Sequence, residues 1–458
     1  MIYRLLYKII LFLIFPFVFI YALFESIKQR DWNFIENKFG SILKTKNINN
    51  LCIHCASLGE VNGARNFINE TSKSNNIVIS TNTISGKNRA KELFPDLDIV
   101  YFPFDYRFIV GLWLKNLNVK TVLIYETEIW PNFYQICYEN GINIAVINAR
   151  ISKHIISGSS FIKENYKKAL ACCKIILCKS GYEKEKYESI GVEENKLLTI
   201  GNLKYSYIPD YTDDLSSVRN KKNYEKNRKT LDELDKYSEI NKLTFLEKTR
   251  IHENQKGKYL LMASTHYPDE KYFLSLIVDL VTSGFIVVIA PRHIERANEI
   301  YKFFKSNNVA IHIFSELKEN KQYLDEKFSG VLILDTFGDL PKFYYGARLI
   351  YVGGGYSKRG VQNIIEPSTY GRPIIVGPNI DNFYEEIINL RKDKGITIIE
   401  DDKWIPVQQN IAKQVNDIYK LDDLVLDQMG SIAKNYTLKF NDVLDNYLKI
   451  LKEQKIIN

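Results

Sequence analysis

A glutamate stands where a phosphate-binding α/β unit usually has glycines. The string ASLGEVNGARN (56–66) follows the apolar, strand-like LCIHC and leads into a helical pattern. The first strand-to-helix turn of a nucleotide-binding unit normally carries several glycines, because phosphate approaches the backbone at the helix N-terminus. Here the turn has Gly59 followed by Glu60. A carboxylate at this place fits a general base, which would be ionised at neutral pH with an ordinary pKa of about 4.3.

Two further strings place charged side chains at predicted strand ends. YETEIWPN (125–132) closes the apolar TVLI with Glu126 and Glu128. Residues two apart in an extended chain share a face, so both could reach a cleft, and one could equally pair with Arg150 of NARIS. GNLKYS (201–206) places Lys204 where the first alternating region ends. A lysine there could oppose the negative charge on a leaving phosphate.

The richest string of the C-terminal half is VGGGYSKRGVQNIIEP (352–367). Its three consecutive glycines let the backbone approach a ligand, and VQNIIE can start a helix whose amide groups face an anion. Glu366 and Asn363 would share one face of that helix, where a carboxylate can accept hydrogen bonds from ribose hydroxyls. A tight loop with a helix cap is the alternative.

Two more strings follow strand-like runs in the same half. In APRHIERA (290–297), Pro291 ends a strand and leaves Arg292 at its carboxyl end, where a guanidinium can pair with phosphate. The alternative is a surface arginine paired with Glu295. In DTFGDLPKFY (335–344), Gly338 could let the backbone reach a base or a ribose.

The elements that must position these residues alternate between short apolar strands and helical stretches. A chain of 458 residues exceeds one core, so two domains are expected. Strands are predicted at LCIHC, NIVIST, DIVYFPF, TVLIYE, INIAVIN, KIILCKS and KLLTIG, and again at KYLLMAST, FIVVIAP, AIHIF, GVLILDT, RLIYVGG and PIIVG. This spacing predicts two doubly wound parallel sheets, with ligands in a cleft at their carboxyl ends.

The N-terminus carries a different signal. Residues 9–24 form an uninterrupted apolar run with Pro16 inside it and cations on both sides. As a helix the run rises about 24 Å, short of a hydrocarbon thickness of about 30 Å. We predict a retained anchor that dips into or barely spans the membrane, with the body of the protein cytoplasmic; a buried core helix is the alternative.

Composition excludes several classes of protein. The formal charge of +8 is spread along the chain, which favours anionic substrates or a membrane surface over nucleic acid. The chain has no H-E-x-x-H motif and no paired C-x-x-C motif, so we predict no metal and no other cofactor. Residues 207–257 hold 11 Lys/Arg and 10 Asp/Glu, which indicates a solvated linker.

Taken in order, eight strings resemble the motif series of the 3-deoxy-D-manno-octulosonic acid (Kdo) transferases of lipopolysaccharide synthesis. They are SLGEVN, ETEIWPN, NARIS, GNLKYS, ASTHYPDE, PRHIER, DTFGDL and GGGYSKRGVQNIIEP. The resemblance implies a GT-B glycosyltransferase with two Rossmann-like domains. It would move Kdo from CMP-Kdo to a lipid A precursor at the inner face of the inner membrane, with inversion and without a metal.

The resemblance also assigns roles to residues. Glu60 matches the family's catalytic base, and Glu126 and Lys204 match its transition-state stabilisers. CMP contacts would fall on Pro291, Arg292, Phe337, Gly338, Asp339, Asn363, Ile364, Ile365 and Glu366. Two positions depart from the family pattern: Gln362 stands where the family commonly has His, and Asp339 where it commonly has Glu. Both departures concern the side chains around the donor.

The resulting organisation has five segments. They are a membrane anchor (1–30), an acceptor-binding Rossmann-like domain (31–206), a charged linker or insertion (207–257), a CMP-sugar-binding Rossmann-like domain (258–430) and a C-terminal helix (431–458).

Two other functions stay open at this point. One is a GT-B transferase that uses a UDP-sugar and a lipid acceptor, and the other is a membrane-tethered nucleotide-binding module without catalysis.

Overall fold

The protein was studied as a computed structural model that describes residues 2–42, 51–206, 245 and 247–458. Most of the predicted linker, 207–244 and 246, therefore lies outside the described residues. The chain divides into two compact units. The N-terminal unit comprises Met1–Tyr207 with Phe440–Asn458, and the C-terminal unit comprises Ile208–Lys439. The two units are described separately.

The N-terminal unit begins with two helices and continues as an alternating α/β fold. Its elements, in chain order, are α1 (Ile2–Gln29), α2 (Trp32–Lys38), β1 (Leu51–His54), α3 (Leu58–Ser72), β2 (Ile77–Thr81), α4 (Ile84–Leu93), β3 (Asp98–Tyr101), α5 (Arg107–Leu117), β4 (Thr121–Tyr125), α6 (Pro131–Glu139), β5 (Asn143–Ala149), α7 (Lys153–Ile156), α8 (Ser160–Leu170), β6 (Ile175–Cys178), α9 (Gly181–Ser189) and β7 (Leu197–Thr199). The seven strands lie in the order β3-β2-β1-β4-β5-β6-β7, and every neighbouring pair is parallel. Each predicted strand of this half is present.

Apart from the exposed residues of its edge strand β7, the sheet of the N-terminal unit is largely buried on both faces because its strands are mainly apolar. Adjacent residues of one strand point to opposite faces. Cys52 packs with Trp113 of α5 and Phe133 of α6 on one side, while Ile53 packs with Phe67 of α3 on the other. Because the seven strands are parallel, their carboxyl ends lie at one edge of the sheet, and the strand-to-helix turns are at this edge.

The C-terminal unit has the same architecture. Its elements are β8 (Tyr259–Thr265), α10 (Asp269–Tyr272), α11 (Leu274–Thr282), β9 (Ile286–Pro291), α12 (Ala297–Ser306), β10 (Ile311–Ile313), α13 (Phe314–Glu319), β11 (Gly330–Ile333), α14 (Leu340–Tyr344), β12 (Ala347–Val352), α15 (Ile365–Ser368), β13 (Ile374–Val376), α16 (Tyr384–Lys392), β14 (Ile396–Ile398), α17 (Val407–Tyr419) and α18 (Asp423–Leu438). The parallel strand order is β10-β11-β9-β8-β12-β13-β14. Strand β14 is not among the predicted strands, although it is as long as the predicted β7, β10 and β13.

The last helix, α19 (Val443–Glu453), belongs to the N-terminal unit. Tyr447 and Leu451 are fully buried in the core that covers one face of the N-terminal sheet. The hydroxyl of Tyr447 donates to the carbonyl oxygen of Gly201 at 2.9 Å. Where a C-terminal helix 431–458 is predicted, the structure thus has the end of α18 and the whole of α19.

Helix α1 is longer than the predicted apolar run. It has 28 residues and includes Pro16. Its segment Leu5–Gln29 has a mean hydropathy of 2.3, long and apolar enough to cross a membrane. Most of its large apolar side chains are exposed, including Phe12 at 78% and Phe17 at 72%. The alternative of a buried core helix is therefore wrong.

Candidate functional site

Glu60 lies in the first turn of α3, directly after β1. Ser57 is the N-cap residue, and its extended backbone turns the chain from the strand into the helix. The Glu60 carboxylate accepts a hydrogen bond from the backbone N–H of Ala56 at 2.7 Å. The carboxylate is therefore held at the carboxyl edge of the N-terminal sheet, at the end of β1, which lies between β2 and β4.

Glu126, Arg150 and Lys204 form an ion-pair cluster on the same sheet edge. Glu126 follows β4 and is only 5% exposed. Its carboxylate pairs with Lys204 Nζ at 2.7 Å and with Arg150 Nε at 2.9 Å. Glu126 adopts a left-handed φ of 64°, a strained conformation for a residue with a side chain. The surrounding ion pairs hold it there.

Glu126 and Glu128 have different hydrogen-bond and ion-pair partners. The left-handed turn at Glu126 sends the Glu128 carboxylate to a different cluster, where it accepts hydrogen bonds from Asn82 Nδ2 and Trp130 Nε1, each at 2.8 Å. Nε2 of the buried His54 ring lies 3.8 Å from the same carboxylate. The pairing of one glutamate with Arg150 is present, and the charges of both glutamates act on Glu60.

The electrostatics separate the protonation states of the carboxyl groups. Burial, with the nearby charges of Glu126 and Glu128, raises the pKa of Glu60 to about 8. Burial also acts to raise the pKa of Glu126, but the charges of Lys204 and Arg150 outweigh it and lower that pKa to about 2. Burial therefore disfavours the ionised form of Glu60 relative to the ordinary glutamate pKa expected from the sequence. Two interacting carboxyl groups with separated pKa values are typical of acid–base sites.

Two residues that sequence reasoning missed support this cluster. Asn148 accepts a hydrogen bond from the backbone N–H of Leu203 at 3.0 Å and donates to the Tyr125 hydroxyl at 3.0 Å, which fixes the segment before Lys204. Gly63 of α3 lies where an added Cβ would come within 2.7 Å of that hydroxyl and 3.3 Å of Lys204 Cε. The NARIS string contains Asn148, but nothing local marks it as a support for another strand end.

In the C-terminal unit, Pro291 is the last residue of β9 and Arg292 follows it. The Arg292 N–H donates to the carbonyl oxygen of Thr265, at the end of neighbouring β8, at 3.0 Å. Burial raises the pKa of Glu366 to about 7, against the opposing influence of the Arg292 guanidinium. The structure thus brings Arg292 and Glu366 into electrostatic contact, although 73 residues separate them.

The predicted DTFGDL contacts lie beyond β11, which neighbours β9. Phe337 is 69% exposed, and Gly338 has a left-handed φ of 80°. Asp339 is buried and accepts hydrogen bonds from Thr336 Oγ1 at 2.6 Å and Lys318 Nζ at 3.1 Å. The Asp339 side chain therefore anchors its own loop, which leaves the backbone and Phe337 as the groups available to a ligand.

The helix predicted to start within VQNIIE is α15, and it is only four residues long. Asn363 accepts a hydrogen bond from the Ile365 N–H at 3.1 Å, while Ile364 and Ile365 are buried. Gln362, one of the two departures, donates to the carbonyl oxygen of Gly360 at 3.1 Å and so braces the glycine-rich loop.

Sequence reasoning missed a basic group around the end of β8. His266 is buried, and its Nε2 has no hydrogen-bond partner among the residues that the structure describes. Its ring lies 5.5 Å from that of His293, whose Nε2 is 3.2 Å from Arg359 Nη1. Burial and the surrounding cations lower the pKa of His266 to about 4. The string ASTHYPDE contains His266, but its role becomes visible only when the strands are side by side.

The glycine-rich loop is tied to this end of β8 through Asp269. Its carboxylate accepts hydrogen bonds from the backbone N–H groups of His266 at 2.9 Å and Gly354 at 2.7 Å. A Cβ on Gly353 would come within 2.6 Å of the Ser264 carbonyl oxygen. Close approach of two backbones therefore explains this glycine. Among the described residues, no group of three or more His, Cys, Asp or Glu could hold a metal ion.

Two units with Rossmann-like parallel sheets define the GT-B class of glycosyltransferase folds, which confirms the predicted fold class. The UDP-N-acetylglucosamine 2-epimerase of Neisseria meningitidis, solved with UDP-N-acetylglucosamine, has a similar fold, with a TM-score of 0.56 and 12% identity over 88% of this chain and 99% of that one. Within that class, the family model described as 3-deoxy-D-manno-octulosonic-acid transferase matches residues 33–207. Over these residues, which are less than half of the chain, the protein is similar to the Kdo transferases.

Curated relatives extend the similarity beyond the matched domain. A bifunctional glycosyltransferase/methyltransferase of Fusobacterium nucleatum is 25% identical over 98% of this chain, which spans 65% of that protein's length. A 3-deoxy-D-manno-octulosonic acid transferase of Haemophilus influenzae is 25% identical over 75% of this chain and 74% of its own length. Both halves of the chain therefore have relatives among glycosyltransferases.

Proposed function

We propose that the protein transfers Kdo from CMP-Kdo to a lipid A precursor, lipid IV-A, with inversion at the anomeric carbon and without a metal. The observation that carries the proposal is the Glu60 carboxyl group beside the Glu126–Arg150–Lys204 cluster, in the domain matched by the family model. The acceptor is a sugar hydroxyl, a poor nucleophile at neutral pH, so transfer needs a base within hydrogen-bond reach.

Glu60 has the properties of that base. A carboxylate whose pKa is about 8 binds a proton more strongly than an ordinary glutamate does, and its pKa lies close to the pH at which it must work. In this scheme Glu60 accepts the hydroxyl proton as the oxygen attacks the Kdo anomeric carbon from the face opposite CMP. Lys204 and Glu126 stabilise charge in the transition state, and Arg150 keeps Glu126 ionised.

The donor is assigned to the carboxyl edge of the C-terminal sheet. Arg292, Arg359 and the unpartnered His266 Nε2 supply hydrogen-bond donors and positive charge for the CMP phosphate. Pro291, the backbone of Phe337, Gly338 and Asp339, and the segment from Asn363 through Ile364 and Ile365 to Glu366 surround the nucleoside. Transfer requires that this edge and the Glu60 edge share one substrate, so the predicted interdomain cleft stays part of the proposal.

Helix α1 would hold the enzyme on the cytoplasmic side of the inner membrane.

The test is the substitution Glu60→Gln. The amide oxygen of glutamine can still accept the Ala56 hydrogen bond, so the turn is kept while the base is lost. We expect transfer of Kdo, measured by mass spectrometry of the lipid product, to fall by roughly 10² or more. Binding of CMP, measured as a thermal shift, should not change, because the predicted CMP contacts lie in the other unit.

The matched control is Glu185→Gln, which removes an exposed carboxylate from α9. It should leave both transfer and CMP binding at the wild-type level. Retained turnover in Glu60→Gln would remove Glu60 from the mechanism. Stabilisation of the wild type by UDP but not by CMP would contradict the proposed donor.

A further inference from the structure

Helix α6 receives its N-terminal cap from another part of the chain. Trp130 is the N-cap residue and makes no side-chain cap bond. The carboxylate of Asp105 takes this place and accepts the backbone N–H of Asn132 at 2.9 Å and that of Phe133 at 2.7 Å. The Asn132 side-chain amide donates in return to the Asp105 carbonyl oxygen at 2.6 Å. Asp105 is only 3% exposed, so these bonds are shielded from water.

The capped helix holds the turn that carries Glu126. This turn, residues 126–130, joins the end of β4 to α6. On the helix side, the hydroxyl of Tyr134 donates to the carbonyl oxygen of Glu128 at 2.9 Å. On the sheet side, the N–H of Glu126 donates to the carbonyl oxygen of Ile147 in β5 at 3.0 Å. A left-handed backbone such as that of Glu126 persists only where the surrounding structure holds it.

Helix α1 completes the cap. The hydroxyl of Tyr7 donates to Asp105 Oδ2 at 2.8 Å, the same oxygen that accepts the Asn132 N–H. Burial raises the pKa of Asp105 to about 7, while the hydrogen bonds from Tyr7 and the two backbone amides act to lower it. Without the Tyr7 donor, the ionised carboxylate would be less stable, and a protonated carboxyl group is a weaker acceptor for the two N–H groups of α6.

From this chain of bonds we infer that Tyr7 and Asp105 are positioning residues for Glu126, so that α1 has a role in the site that does not depend on a membrane. Tyr7 stabilises the carboxylate that caps α6, and α6 holds the turn in which Glu126 pairs with Lys204. The inference rests on the proposed function, because it concerns the proposed transition-state stabiliser Glu126.

The test is Tyr7→Phe, with Tyr106→Phe as the matched control. Each change removes a half-buried hydroxyl whose hydrogen bond of 2.8 Å joins α1 to the rest of the unit, but the Tyr106 hydroxyl donates to the Leu11 carbonyl oxygen and not to Asp105. Transfer is measured with a lipid acceptor dispersed in detergent, where attachment to a bilayer contributes nothing.

We expect kcat to fall roughly fivefold or more in Tyr7→Phe, because a small displacement of a group that stabilises the transition state lowers the rate. In Tyr106→Phe, kcat should stay at the wild-type level. The KM for CMP-Kdo should be unchanged in both variants.

Asp105→Asn gives a larger change at the next step. The amide oxygen can still accept one N–H of α6, but the other side-chain atom becomes a donor. We expect kcat to fall further than in Tyr7→Phe. Adding Tyr7→Phe to Asp105→Asn should cause little further loss, since Tyr7 acts through Asp105. Losses that add in the double variant would contradict this route.

Hydrogen exchange measures the turn itself, whatever the protein transfers. In peptides that cover residues 126–134, amide exchange should be faster in Tyr7→Phe than in the wild type and in Tyr106→Phe. Wild-type kcat in Tyr7→Phe, equal losses of kcat in the two variants, or unchanged exchange would each overturn the inference. Faster exchange in Tyr7→Phe, with a wild type that transfers no Kdo, would instead refute the proposed function and leave the positioning of the turn standing.

Discussion

At the scale of single residues, Glu60 combines a structural and a proposed chemical role. Ser57 and Glu60 have the S-x-x-E spacing of a capping box, in which the glutamate normally bonds the N–H of the N-cap residue. Here the carboxylate bonds the N–H of Ala56, one residue earlier, and Ser57 makes no side-chain cap bond. The carboxyl group is thereby held where the charges of Glu126 and Lys204 act on it.

The raised pKa of Glu60 predicts a pH dependence of catalysis. A base with a pKa of about 8 is protonated in most molecules at pH 7 and loses its proton as the pH rises. We expect kcat/KM to increase with pH along a limb whose midpoint is near 8, and to level off above it. A limb that instead follows an ordinary glutamate pKa, near 4.5, would contradict the electrostatic environment described for Glu60.

The same shift predicts a pH-dependent difference in stability. Because the folded chain disfavours ionised Glu60, wild-type stability falls relative to Glu60→Gln as the pH rises from about 4.5 toward 8. We expect the difference in the free energy of unfolding to be small below pH 4.5, to grow through that window and to be constant above it. Denaturant titrations of both proteins at several pH values measure this difference. A difference that does not vary with pH would exclude the shift.

At the scale of elements, α1 is attached to the N-terminal unit along nearly its whole length. The attached residues recur every three or four positions, as one face of a helix requires: Tyr3, Tyr7, Leu11, Phe15, Phe19, Ala22 and Ser26. The hydroxyl of Tyr7 donates to Asp105 at 2.8 Å, and Tyr106 donates to the Leu11 carbonyl oxygen at 2.8 Å. A helix held in this way cannot leave for the bilayer interior without breaking these contacts, so we expect its exposed face to lie on the membrane.

Replacing exposed residues of α1 tests this expectation better than deleting the helix, since deletion would also uncover the surface to which α1 is attached. In Phe12→Ser/Phe17→Ser, two exposed rings are lost, each worth about 1.5 to 3 kcal/mol when fully buried in an apolar phase. We expect binding to phospholipid vesicles to weaken more than tenfold in a sedimentation assay, with the melting temperature unchanged.

The control for the α1 variant is Trp404→Ser, which removes a 93% exposed aromatic ring from the C-terminal unit. Its vesicle binding should equal that of the wild type. Equal binding by the α1 variant would show that the exposed face does not contact lipid.

At the scale of the whole molecule, the N-terminal unit is built from both ends of the chain. Helix α19 buries Val443, Tyr447 and Leu451 in the core beneath the β1 and β4 strands. A Cβ on Gly201 would come within 3.0 Å of Val443, so the segment before Lys204 passes directly under this helix. The end of the chain therefore supports the segment that carries a proposed transition-state stabiliser.

Truncation at residue 439 tests this support. The truncation removes five buried apolar side chains, and each costs about 2 kcal/mol or more: Val443, Tyr447, Leu451, Ile456 and Ile457. We expect the truncated protein to melt at a lower temperature and to lose transfer, while CMP still stabilises the C-terminal unit in a thermal shift. Restoring residues 440–458 as a separate peptide should recover part of the loss. Unchanged melting would contradict the packing described for α19.

The sequence alone determined the two parallel sheets and the strings at their strand ends. Buried parallel strands must be apolar on both faces, and the turns after them must hold the polar groups. Local patterns such as LCIHC before ASLGE therefore predict both the strands and the turns. The same local patterns placed Glu60 and Glu126 at the ends of predicted strands, and the family resemblance assigned roles to them and to Lys204.

Tertiary structure decided what depends on contacts between distant segments. Glu126 has a left-handed backbone and pairs with Lys204, while Glu128 bonds to Asn82 and Trp130. The supports at Asn148 and Gly63 act across other strands. The pKa of Glu60 follows from burial and from the charges of Glu126, Glu128 and Lys204, which lie far along the chain and which no local pattern contains. The attachment of α1 and the return of α19 follow likewise from packing, because an apolar stripe does not specify which surface will cover it.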